Sequence, residues 1–265
     1  RQDVIVAFEQ VEHGLAAAGH IAVAVDHHGN TAAEPAFDPR GFRLPWERTR
    51  DLSRVLDILH EDPVWSRRFD RSRIHAIGFS LGGYAVTALI GGKADFDRFS
   101  AFCAGEDRDA TCEPQSEYPE AARDFDRLAS QDPSVRAALA ESSGDFRDPR
   151  IKCAVVLAPA LAQAFSDDSL AEIATPTLIV AGSDDRVAPV ETNAARLARL
   201  IPGAQLRTID GANHYAFLNR CNERGRRFVP ACGDGAVDRS SVHAQALQSI
   251  LQGFADERCA AAAPE

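Results

Sequence analysis

The stretch Ile74-His75-Ala76-Ile77-Gly78-Phe79-Ser80-Leu81-Gly82-Gly83 decides how the rest of the chain is read. An apolar run of strand length ends at Gly78-Phe79-Ser80, and a small-residue run from Gly82 to Ile90, closed by Gly91-Gly92, follows with the character of a helix. Gly-x-Ser-x-Gly alone is a weak signal, because it arises often by chance. Lodged between a strand and a helix, it predicts a nucleophile elbow. Ser80 would then sit on a sharp, strained turn, with glycines two residues before and after leaving room for strand and helix. Its hydroxyl would project above the sheet at the helix N-terminus, where the Leu81 N–H can donate to a developing oxyanion. The plainer alternative is an ordinary glycine-rich strand-to-helix turn.

Outward from this segment, strands and helices alternate. Val4 to Phe8 reads as a short strand, the run to about Ala18 as a helix capped by Gly19, and Ile21 to Val25 as a continuous apolar strand ending at Asp26. A Gly-, Pro- and Asn-rich loop runs to Pro45, then Trp46 to His60 is helical with Leu52, Val55, Leu56 and Leu59 on one face. Beyond the elbow the alternation stops. Asp95 to Pro149 is polar and Asp/Arg-rich, with weak helical periodicity from Phe125 to Leu139, and reads as an inserted cap at about 95–149 within a single domain, 1–265. Strands at Ile151 to Leu157, Thr177 to Ala181 and Gln205 to Ile209, and helices at Val190 to Leu200 and Arg239 to Phe254, complete the pattern. Such alternation predicts an α/β fold with a doubly wound, mostly parallel sheet, whose ligands lie beyond the C-terminal strand ends.

A serine hydroxyl needs a base before it becomes nucleophilic. Of eight histidines, His214 alone lies in a loop after the last predicted strand, in Gly211-Ala-Asn-His214-Tyr. His75 lies inside the strand leading to Ser80, His60 and His243 fit helix surfaces, and His27 and His28 precede the serine. The order serine, acid, histidine is the one an elbow of this type uses. The acid is expected after Thr177 to Ala181, where Asp184 and Asp185 are both candidates. Such a carboxylate fixes the imidazole tautomer and stabilises the imidazolium; otherwise both would simply cap the following helix.

Composition sets bounds. Charged residues make up 26% of the 265 and the net charge is −10, which argues against a nucleic-acid binder, in need of a basic face, and against docking on anionic lipid by charge alone. No apolar run approaches membrane-spanning length, so a soluble chain is expected. The sequence opens at Arg1 without Met or a signal-peptide pattern and reads as lacking its true beginning. Six cysteines include two close pairs, Cys103 with Cys112 and Cys221 with Cys232, in polar loop-like stretches. Metal-ligand spacing is absent, so no metal is expected. Two local disulfides suit a secreted or periplasmic protein, free thiols a cytoplasmic one. Cys153, in an apolar strand, reads as a small buried residue.

The chain resembles the α/β-hydrolase superfamily, and within it the bacterial predicted dienelactone hydrolases related to platelet-activating-factor acetylhydrolases. Carrying the likeness are Gly19 to Thr31 (GHIAVAVDHHGNT), Arg50 to Asp57, Gly78 to Tyr84, Arg147 to Lys152, Leu157 to Ala160, and Gly211 to Leu218 with Cys221. In that superfamily the acid commonly stands three residues after a glycine and four before a proline. Gly182, Asp185 and Pro189 fit that spacing, and Asp184 does not. The resemblance therefore implies a Ser80–His214–Asp185 triad. True dienelactone hydrolases carry cysteine at the elbow, so Ser80 turns the expectation toward a serine esterase for short acyl esters, working through an acyl-enzyme without cofactor. Relatives place a His-Gly-x-Gly-like loop after the strand equivalent to Val4–Phe8; here Glu9-Gln-Val-Glu follows. The Phe8 or Glu9 N–H would have to substitute as second oxyanion donor. Loss of one donor costs on the order of 3 kcal/mol, roughly a hundredfold or more in rate, so a weak enzyme is expected.

Phe79, Leu81, Tyr84 and Phe217, with Phe99, Phe102 and Phe125 from the insertion, are candidates to line an acyl pocket, although core packing is the commoner role for each. An amidase or peptidase using the same triad, and a non-catalytic binding protein on the same fold, are the competing readings.

Overall fold

The computed structural model describes residues 9–31, 33–223, 232, 237–256 and 259. Four strands, β1 (Ile74–Phe79), β2 (Ile151–Leu157), β3 (Thr177–Gly182) and β4 (Gln205–Ile209), form one parallel sheet in the order β1-β2-β3-β4. The pairings Phe79↔Leu157, Leu157↔Val180 and Gly182↔Ile209 bring all C-terminal strand ends to one edge.

Side-chain alternation along the strands feeds two cores. Ala154, Val156, Ile179 and Ala181 face a layer containing Trp46 of α3 (Pro45–Glu61), Tyr84 and Val86 of α4 (Leu81–Leu89) and Leu197 of α9 (Ala194–Leu200). Cys153, Val155, Leu157, Leu178 and Val180 face the opposite layer, built by Val11 and Leu15 of α1 (Glu9–Ala17) and by Val242, Ala246 and Ile250 of α10 (Arg239–Phe254). Both faces being covered, β2 and β3 can be almost uninterrupted apolar runs. Each fully buried Val, Leu or Ile in them contributes about 1.5–3 kcal/mol. This is the doubly wound parallel architecture that the alternation predicts. The outer strand β4 is correspondingly more polar and more exposed.

Several expectations are corrected. Ile21–Val25 is not a strand: it has no ladder partner among the described residues, and Ile21 and Val23 are 47% and 52% exposed. An apolar run becomes a strand only where a neighbour offers an edge to pair and pack with, and β1, the outermost described strand, pairs only with β2. The strand expected at Val4–Phe8 lies outside the described residues. Between α4 and β2 run three helices, α5 (Phe96–Ala104), α6 (Ala121–Gln131) and α7 (Pro133–Leu139), in place of one weak helix. The Asp95 carboxylate accepts from the Asp97 and Arg98 N–H groups to start α5, and Asp132 accepts from Ser134 N–H where Pro133 separates α6 from α7. The helix expected from Val190 begins only at Ala194, after Asn193. All six cysteines are paired: besides Cys103–Cys112 and Cys221–Cys232, Cys153 is buried as expected but bonded to Cys259. No helix among the described residues is long and apolar enough to cross a membrane.

Candidate active site

Ser80 follows β1 directly and opens α4. Its backbone lies at φ 54°, ψ −115°, a conformation side-chain-bearing residues rarely hold. Neighbours enforce it: Ser80 N–H donates to the Leu157 carbonyl at 3.0 Å, and its own carbonyl accepts from Tyr84 N–H at 3.1 Å and Ala160 N–H at 3.2 Å. The glycine requirement is narrower than the motif suggests. A Cβ on Gly78 would overlap the Gly82 carbonyl, and one on Gly83 would press on Pro159 and Val156, whereas one on Gly82 would meet open space. Leu81 stands at the first helical position, where the N–H has no intrahelical acceptor. Phe8, expected as the second oxyanion donor, lies outside the described residues.

His214 enters from the loop after β4, at the start of a 3₁₀ turn, and is 2% exposed. Its Nε2 is 2.9 Å from Ser80 Oγ, and its Nδ1 is 2.7 Å from Asp185 Oδ2. A carboxylate only accepts, so Nδ1 carries the proton and Nε2 offers its lone pair to the serine hydroxyl. Asp185, in the loop after β3, is 6% exposed, and its other oxygen accepts from Val187 N–H at 3.0 Å and Ala188 N–H at 2.8 Å. Asp184 instead turns outward to Arg186 at 2.9 Å. Neither carboxylate caps α9, which starts behind Asn193.

The two loops approach closely because residue 182 is glycine: a Cβ there would collide with the Ala212 carbonyl. Asp184 N–H donates to that carbonyl at 3.0 Å, and Ser183 N–H to the Ile209 carbonyl at 3.0 Å. The Ser183 hydroxyl also takes part, accepting from Gly211 N–H at 2.8 Å and donating to Asp210 Oδ1 at 3.2 Å.

Of the aromatic residues expected near the site, Phe79 is half-buried with its ring 4.9 Å from the His214 ring. Phe217 packs behind it at 6.0 Å, 2% exposed. Tyr84 lies deeper still, 1% exposed between Phe165 and Phe96, its phenol pushed well above the usual range by burial. Phe125 is buried in the core, and Phe99 packs partly against it. Beside His214, a surface hollow of about 390 Å³ is lined by Asp184, Arg186, Val187, Asn213 and Tyr215.

The segment between α4 and β2 reaches over this edge. Ser116 Oγ and Tyr215 OH share a hydrogen bond at 2.9 Å, Asn193 Nδ2 donates to Thr111 Oγ1 at 3.0 Å, and Thr192 bonds to Asp109. Burial pushes the Tyr215 phenol up to about 12. Asn193, fully buried, and Tyr215 escaped sequence reasoning because their partners are distant in the chain. His243, expected on a helix surface, is buried, with Nε2 2.9 Å from the Leu218 carbonyl and Gln10 against its other nitrogen. Among the described residues no cluster of three or more His, Cys, Asp or Glu is arranged to hold a metal.

Comparison with known proteins gives the family. None of the curated proteins matches the chain. Among solved structures, a predicted CIB-like hydrolase from Thermoplasma acidophilum is 14% identical with TM-score 0.43, covering 92% of this chain and 79% of its own. A point mutant of a meta-cleavage product hydrolase (CumD) is also 14% identical with TM-score 0.41, covering 93% of this chain and 85% of its own. The family model described as the alpha/beta hydrolase family matches residues 6–231. Spanning most of the sequence, that match shows that the chain belongs to the alpha/beta hydrolase family and is of the hydrolase class.

Proposed function

We propose that this protein is a serine esterase that cleaves carboxylic esters, short acyl esters above all, through an acyl-enzyme on Ser80. The observation that carries this reading is the buried relay in which one imidazole bridges Ser80 Oγ and Asp185 Oδ2. His214 Nε2 takes the hydroxyl proton as Oγ attacks the ester carbonyl, and Asp185 stabilises the imidazolium. The Leu81 N–H, at the head of α4, receives the developing oxyanion. The imidazolium then protonates the departing alcohol. Water, deprotonated by the same imidazole, attacks the acyl-enzyme and releases the acid with Ser80 restored. These steps use no metal or organic cofactor. Preference for a short acyl ester over an amide rests on the likeness to the acetylhydrolase branch.

In this reading the chain is a single domain and residues 95–149 act as its cap, an assignment supported by the bonds from Asp109 and Thr111 to Thr192 and Asn193 and from Ser116 to Tyr215, next to the base. Phe79, with its ring 4.9 Å from that of His214, offers apolar surface for an acyl group. Three disulfides favour a secreted or periplasmic location.

The test is reaction with a fluorophosphonate probe and turnover of p-nitrophenyl acetate. Wild-type protein is expected to label, and Ser80→Ala to lose both labelling and turnover, the latter by a factor on the order of 10⁴ or more. Equal labelling of the variant excludes Ser80 as nucleophile. A wild-type protein that neither labels nor turns over points to a binding protein.

A further inference from the structure

We infer that Ser183 is a positioning residue, whose hydroxyl locks the loop that carries the base to the loop that carries the acid. The inference rests on the triad reading for its catalytic meaning and on the two hydrogen bonds of the Ser183 hydroxyl for its geometry.

Asp185 and His214 stand on loops that leave adjacent strands, β3 and β4. Two backbone bonds, Ser183 N–H to Ile209 and Asp184 N–H to Ala212, continue the ladder into those loops. Past Ile209 the base loop turns through Gly211, at φ 68°, before it delivers His214. A turn of that kind can pivot, and a small pivot at residue 211 is magnified at the imidazole three residues on. The Ser183 hydroxyl holds the near side of the pivot, accepting from Gly211 N–H and donating to Asp210 Oδ1, so that the turn is anchored before residue 211 as the Asp184 N–H bond to Ala212 anchors it after. A hydroxyl suits this place because it donates and accepts at once.

The bridge lies at the exposed rim. Water can therefore satisfy Gly211 N–H and Asp210 once the hydroxyl is removed, and the fold does not depend on it. What water cannot do is hold the two loops in register. Misplacement of a catalytic group by a fraction of an ångström to about 1 Å is enough to cost up to a hundredfold in rate. The expected cost thus falls on the chemical step and not on stability or substrate binding.

Ser183→Val and Ser183→Thr separate these effects, since the two side chains have nearly the same shape and differ in the hydroxyl. With p-nitrophenyl acetate, Ser183→Val is expected to lower kcat about tenfold with KM and Tm held, and Ser183→Thr to recover most of the loss. Amide hydrogen exchange at Gly211, and the low-field proton resonance of the His214–Asp185 bond, should both be disturbed in the Val variant and restored in the Thr variant. Those two readouts do not depend on turnover. They distinguish a wrong triad reading, in which Ser80→Ala is as active as wild type, from a failed lock. Unchanged kcat and Gly211 exchange in Ser183→Val would overturn the inference. So would equal losses in Val and Thr variants, which would make the position one of shape alone.

Discussion

Ser80 holds an unfavourable backbone because three hydrogen bonds and the absent side chain of Gly78 leave it nowhere else to go. A conformation of this kind costs on the order of 1–3 kcal/mol, and only a residue without Cβ escapes it. Ser80→Gly is therefore expected to be more stable than Ser80→Ala, by about 1 kcal/mol, while both lack turnover. Identical melting temperatures for the two variants would show that the elbow stores no strain. The sequence made this residue legible because its motif is contiguous, Gly78 to Gly82 between a strand and a helix, although Leu157 and Ala160 also hold it from far along the chain. His214 was legible for a different reason, its place after the last strand. Choosing between Asp184 and Asp185 needed family spacing, since neighbours in a chain look alike until one turns inward to His214 and the other outward to Arg186.

At the scale of elements, β1 meets α10 where the His75 ring stacks on Phe254 at 4.4 Å. Burial, with His20 and Arg73 nearby adding positive charge, lowers the His75 pKa from 6.5 to about 4. The unfolded chain thus binds this proton more readily than the folded one. The stability His75 lends is fully present above pH 6.5 and is lost as pH falls through the window from 6.5 to about 4. His75→Phe keeps a ring against Phe254 and removes the titration, and the buried Nδ1 it deletes has no partner. Over that window its Tm is expected to fall less than that of wild type; parallel declines would refute the assignment. Buried His243 titrates in both proteins and cancels from the comparison. Elements were legible where periodicity decides them, as for α3 and α10. They were misjudged where a partner decides them: Ile21–Val25 is as apolar as a strand but finds no edge among the described residues, and α5 was hidden in an Asp/Arg-rich stretch although Asp95 marks its start.

For the molecule as a whole, the unforeseen feature is the bond between Cys153 and Cys259, which are 106 residues apart. Nothing local to either cysteine announces it; only folding brings Cys259 beneath β2. Closing a loop of that length restricts the unfolded chain by roughly 4–5 kcal/mol in the chain-entropy account. The double variant Cys153→Ala with Cys259→Ala is expected to melt roughly 10 °C or more below wild type, and reductant should lower wild type toward it. A melting point unmoved by the double change would show that the native protein does not rely on this bond. The same connectivity decides how the molecule tolerates proteolysis. Asp185 and His214 lie within the ring it closes and Ser80 lies outside, so a single nick between 154 and 258 leaves all three in one covalent piece. A nick at 113–152 has no such safeguard, and the fragment bearing Ser80 is then free to diffuse away from the one bearing His214.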